Sequence, residues 1–202
     1  MIYLLRKNWL LYKKNIVLGV LFATFFSIIT IDGAKYYTVS LMMCPSLMFS
    51  WTVGKICYME DSNATRQFLL SLPVSKKDII NEKNILSFFC ILVGILIANV
   101  GSILVGVARD QSVHIDWKIN IIMIIFLMFY NTIYIFIYYW YDYSKVRFVP
   151  YIILVFMFIF FKFGNETITV VNNAPNIIFI GFLVCALFLN YFVLRIAIKR
   201  EL

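Results

Sequence analysis

Long apolar runs, each bounded by charged residues, fill most of this 202-residue chain. Hydrophobic residues make up 63% of it and charged residues 14%, against about 45–50% and about 25% in a soluble domain. A soluble body of this length has too little polar surface to cover such a core. Hydrocarbon must be the solvent, so the chain is expected to be an all-α integral membrane protein, a single transmembrane domain over residues 1–202.

The net charge of +8 is spread between the apolar runs and forms no basic stripe, which favours a membrane over nucleic acid as partner. Cys44, Cys57, Cys90 and Cys185 fall in or beside apolar runs and form no C-x-x-C pair, so they read as small buried hydrophobes, with no metal site. No cleavable signal peptide is expected, because the first apolar run starts late and no small-residue cleavage site follows it.

In chain order, residues 1–14 place Leu4, Leu5, Trp9 and Tyr12 at near-helical spacing, with Arg6, Lys7, Lys13 and Lys14 between them. This pattern predicts an amphipathic helix lying in the membrane interface. Residues 16–31 form the first predicted span, where Gly19, Ala23 and Ser27 share one face. Residues 36–58 form the second, with Pro45 expected to kink it and Lys55 near its end. Residues 85–108 form the third, where Gly94, Ala98 and Ser102 repeat the four-residue spacing. Small-residue faces let helix backbones approach closely in lipid, so the first and third spans are expected to pack through them. Asn99, within the third span, should face protein and not lipid.

Residues 109–118 form a polar loop with the lone histidine, His114, read as a surface residue. Residues 119–141, the fourth predicted span, end in an aromatic belt of Tyr138, Tyr139, Trp140 and Tyr141. Phe126, Tyr130, Asn131 and Tyr134, with Asn99, are candidates for lining a pathway; aromatic packing in a bundle accounts for the same pattern. Residues 148–161 make a short fifth span with Pro150 at its start. Apolar residues contribute about −0.3 to −0.6 kcal/mol each to insertion, so even this run favours crossing. Residues 164–176 are polar but contain Ile168 to Val171, which fits a segment dipping back to the membrane edge. Residues 177–194 form the sixth span, and a basic tail follows.

The odd-numbered segments between spans carry four, five, two and three Lys or Arg, fourteen of the 18 in the chain. The positive-inside rule then puts both termini and the 60–84 loop in the cytoplasm.

That loop is the longest segment outside the spans. Ser62 or Asn63 can cap a short helix carrying Phe68, Leu69 and Leu72, which Pro73 ends. Ser75-Lys76-Lys77-Asp78 has capping-box spacing and starts a second helix that runs into the third span. An exposed Phe-Leu-Leu flanked by Glu60, Asp61 and Arg66 suits docking on a soluble partner, and equally suits resting on the membrane interface.

Glu60-Asp61, Phe68-Leu69-Leu70, Ser71-Leu72-Pro73-Val74-Ser75, Lys76-Lys77 and Asp78-Ile79-Ile80 together resemble the cytoplasmic loop of the ABC type 2 permeases, small six-span membrane subunits of bacterial ABC exporters. Lys76 stands where those proteins often carry Arg. The resemblance implies six transmembrane helices and a short coupling helix between spans two and three. It implies a separate ABC ATPase that holds ATP and Mg, with no cofactor on this chain. The coupling contacts would be Glu60, Asp61, Arg66, Phe68, Leu69, Leu70, Ser71, Leu72, Pro73 and Val74. It also implies a second permease copy, identical or homologous, and a bacterial plasma-membrane location.

The chain has no phosphate-binding G-x-x-x-x-G-K-[ST], no G-x-S-x-G, and acidic residues only at membrane edges, so it is not expected to be an enzyme. Apolar, aromatic spans without a dense charge cluster fit a hydrophobic or amphipathic cargo, with peptides favoured, in contact with membrane lipid. The competing class is a non-transporting membrane immunity or scaffold protein, which would have no use for a docking loop.

Overall fold

Nothing between Ile2 and Leu18 breaks a helix: the stretch contains neither glycine nor proline. In the computed structural model it runs on unbroken as α1, Ile2–Thr30. The predicted interfacial helix and first span are therefore one rod, and there is no separate surface helix over residues 1–14. The structure describes residues 2–30, 34–62, 75–108, 115–141, 146–148, 152, 155 and 176–200.

After α1 come α2 (Ala34–Phe49), a π-helical turn (Ser50–Gly54) and α3 (Lys55–Ser62). These three abut and make the second span. Then follow α4 (Lys76–Ala108), α5 (Trp117–Tyr141) and α6 (Asn176–Arg200). The described residues contain no strand.

Among the described residues, four helical stretches are long and apolar enough to cross a membrane: Trp9–Ile29, Tyr37–Asp61, Lys77–Ala108 and Trp117–Tyr141. Within α6 the apolar part, Ile180–Val193, is shorter. The predicted fifth span lies outside the described residues except at positions 148, 152 and 155, where Ile152 N–H donates to Phe148 O at 3.1 Å. Segment 164–176 lies outside them altogether.

The third span starts well before residue 85. Ser75 caps α4: Asp78 N–H donates to its Oγ at 3.1 Å, and its own hydroxyl donates to Asp78 Oδ2 at 2.8 Å. The acid of a standard capping box reaches the cap's backbone N–H; here it takes the hydroxyl proton. At 33 residues α4 is about 50 Å long, against a hydrocarbon core of about 30 Å, so its ends reach beyond that core.

The second span is the centre of the bundle. Of its most apolar window 67% is buried, against 17% for the first span and 39% for the third. Both small-residue faces lie against it, where the sequence pattern had paired the first and third spans with each other. A Cβ on Gly19 would sit 3.3 Å from Trp51 Cβ and 3.5 Å from Met48 Sδ. The Cys44 thiol donates to Ala23 O at 3.3 Å, the Ser40 hydroxyl lies 3.5 Å from that of Ser27, and Phe22 stacks on Trp51 with centroids 4.9 Å apart. The first and third spans do touch, but toward α4 too the closest approach is to the second span: a Cβ on Gly94 would fall 2.6 Å from Pro45 N and 2.9 Å from Pro45 Cβ. Ala98 and Ser102 continue that buried face.

Pro45 lies inside α2 and has no N–H to give the preceding turn. Hydroxyls then bond back along the same rod: Ser46 to Met42 O at 2.8 Å, Ser50 to Ser46 O at 2.8 Å, and Thr52 to Met48 O. Such back-bonding loosens and bends a helix, and the wider π turn begins one turn beyond the proline.

Gly94→Ala should force α2 and α4 apart and lower stability by about 1–3 kcal/mol. Gly181→Ala, where a Cβ would meet nothing within 4 Å, should be neutral or stabilising by up to about 1 kcal/mol. Melting of the two purified variants in detergent checks the contrast.

Candidate functional site

α3 ends at Ser62 and α4 is capped by Ser75; residues 63–74, which join them, lie outside the described residues. The foot of that segment is built from charges. Glu60 is on the last turn of α3, and Lys83 lies two turns into α4, about 12 Å past the cap. Lys83 Nζ is 2.6 Å from Glu60 Oε2, and each side chain is 2% exposed. Glu82 is buried beside them. From α1, Lys7 Nζ comes to 3.9 Å from Glu60 Oε1. From α5, the rings of Tyr138 and Tyr139 stand 5.7 and 5.8 Å from the Lys83 ammonium, within cation–π range. The Tyr138 hydroxyl donates to Asp61 Oδ1 at 3.1 Å. One ion pair therefore gathers α1, α3, α4 and α5.

Lys83 is in phase with the small-residue face of its own helix. Ile80, Lys83, Ser87, Ile91, Gly94, Ala98 and Ser102 are all buried and recur at three- and four-residue steps. A charge on that face must enter the protein, and burying it alone costs several kcal/mol. Glu60 supplies the counter-charge. One turn along, Asn84 Oδ1 accepts from Asn131 Nδ2 at 3.0 Å and from Asn190 Nδ2 at 3.4 Å, which adds α6 to the assembly.

The opposite end of the same helices carries a second polar clamp. The Tyr37 hydroxyl of α2 donates to Asn99 Oδ1 at 2.6 Å. Asn99 Nδ2 donates to Asn120 Oδ1 at 2.9 Å, and Asn120 Nδ2 donates back to the Tyr37 oxygen at 2.9 Å. The ring closes on itself and ties α2, α4 and α5 together. Asp116 sets it in place by capping α5, accepting from Lys118 N–H at 2.9 Å on its side chain and from Asn120 Nδ2 at 2.9 Å on its carbonyl.

Of the residues expected to contact a partner, Glu60 and Asp61 stand at the foot, where both make contacts inside the chain. Arg66, Phe68, Leu69, Leu70, Ser71, Leu72, Pro73 and Val74 lie outside the described residues. The candidate pathway residues hold helices together within the single chain. Asn99 is in the ring and Asn131 bonds Asn84. Phe49 packs edge-on to Tyr130 and Tyr134, with centroids 5.2 and 4.9 Å apart, while Phe126 is half-buried against the core. The sequence pattern singles out none of Lys83, Tyr37, Asn120 and the π turn, and gives Lys7 and Tyr138 only interfacial roles. For Lys83 the signal was present: its register with Gly94 and Ala98 marks it as inward-facing.

The described helices form a multi-pass membrane bundle whose second and third spans are joined by a buried ion pair. The family model for the ABC-2 family transporter proteins matches residues 3–199, nearly the whole chain. The protein belongs to that family and is the membrane-spanning permease component of an ABC transporter, a class that works with an ABC ATPase. No curated protein and no solved structure matches the chain.

Lys83→Met should cost about 3–5 kcal/mol, because it leaves the Glu60 carboxylate buried without its near partner. Adding Glu60→Met should recover most of that loss, and a double-mutant melting cycle reads it. Asn99→Leu opens the far ring and should cost about 1–2 kcal/mol in the same assay.

Proposed function

We propose that this chain is the permease subunit of an ATP-driven exporter. A second permease, identical or homologous, completes the pathway, and ATP and Mg are held by the partner ATPase. The observation that carries the reading is the foot of the 62–75 segment. A segment that drives spans must be fastened to them, and Glu60 and Lys83 fasten both of its ends at 2.6 Å. Phe68 to Val74 then form the coupling helix that the ATPase grips. The segment and both termini are cytoplasmic in this reading and the membrane is a bacterial plasma membrane; the Lys and Arg asymmetry supports the orientation.

The cargo is hydrophobic or amphipathic, with peptides favoured. Side chains such as Leu21, Phe25, Leu96, Val100 and Phe188 are apolar and exposed, while Glu60 pairs with Lys83 and Asp61 accepts from Tyr138 at one end of the helices. That arrangement favours an apolar route over a path for small ions.

Leu70→Asp should abolish co-purification of the ATPase, and Phe68→Ala should weaken it. ATPase activity coupled to the permease should fall in the same order. Unchanged capture and unchanged activity in both variants would overturn the coupling-helix reading. A strain lacking the permease should become more sensitive to amphipathic peptides.

A further inference from the structure

We propose that Lys83 and Tyr138 are positioning residues for energy coupling: they lock the foot of the 62–75 segment to α5, so that a pull on the segment is delivered along α5 to the Tyr37–Asn99–Asn120 ring. This rests on the coupling reading above.

The route is laid out in contacts. Asp61, at the end of α3, accepts from the Tyr138 hydroxyl at 3.1 Å. Lys83, on the returning helix, is paired to Glu60 at 2.6 Å and lies under the rings of Tyr138 and Tyr139. Both arms of the segment thus grip the same end of α5. From Tyr138 to Asn120 is 18 residues, about 27 Å along one helix. A helix of that length passes axial movement from end to end. At its far end Asn120 both donates to Tyr37 and accepts from Asn99. Displacing α5 therefore strains a ring whose other members sit on the second and third spans. Rigid elements joined by discrete polar contacts can carry coupling between distant sites when they switch between two arrangements. Neither Lys83 nor Tyr138 needs to touch the ATPase or the cargo.

The test uses the full permease with its ATPase in lipid nanodiscs, with Mg-ATP and vanadate as probe. Spin labels go on Trp117→Cys and Ile28→Cys, both natively exposed, in a Cys185→Ser background; Cys44, Cys57 and Cys90 are buried. Nucleotide should change the label-to-label distance in this background. Tyr138→Phe, which removes one hydroxyl and keeps the ring, should capture the ATPase normally yet lose half or more of that change. Lys83→Gln should behave like Tyr138→Phe where it folds. A full-sized change in Tyr138→Phe with normal capture would overturn the proposal, as would capture with no change in the parent protein. Failure of the parent to capture the ATPase at all would instead overturn the coupling reading on which the proposal rests.

Discussion

The approach of Pro45 to Gly94 is the contact on which the rest of the bundle depends. In hydrocarbon, helices gain nothing by hiding apolar side chains from one another, so association rests on close packing and polar bonds. Proline gives up a backbone donor, glycine gives up a side chain, and the two spans meet at backbone distance. With α4 held there, and α1 held on the same span by Gly19, Ala23 and Ser27 while also touching α4, the second span becomes the centre. The π turn and the aromatic contacts of Phe49 with Tyr130 and Tyr134 follow from that central position.

Close packing alone leaves helices free to slide. The polar contacts at the two ends remove that freedom. At one end Glu60, Asp61, Lys83 and Tyr138 join the second, third and fourth spans. At the other Tyr37, Asn99 and Asn120 join the same three. Spans pinned at both ends behave as a unit, which suits a subunit that receives a mechanical input at one end. The cost of a lysine and a glutamate taken out of water is offset by their 2.6 Å contact, and the same cost makes the pair unforgiving of change.

The membrane class, the Ser75 cap and the inward turn of Asn99 were all legible, because each follows from local chemistry: hydropathy over a span, a hydroxyl at cap spacing, an amide too polar for lipid. The family was legible from the loop motif, and the family match over residues 3–199 agrees with it. The continuity of α1 was not read, since four basic residues looked like an interfacial face although nothing in them breaks a helix. Glu60 reads as a partner contact from its place beside the Phe-Leu-Leu stretch and in the loop motif; its burial depends on Lys83, which is 23 positions away.

By itself the sequence determined the solvent, the helical periodicity and which faces are small enough for close approach, because these depend on residues within a few turns of each other. Which faces meet was decided only by the tertiary structure. Two small-residue stripes of equal spacing are equally suited to each other and to a third helix. Pro45 broke that tie: it let the second span present its backbone to Gly94, and so set both which helix lies at the centre and which charges are brought together at its end.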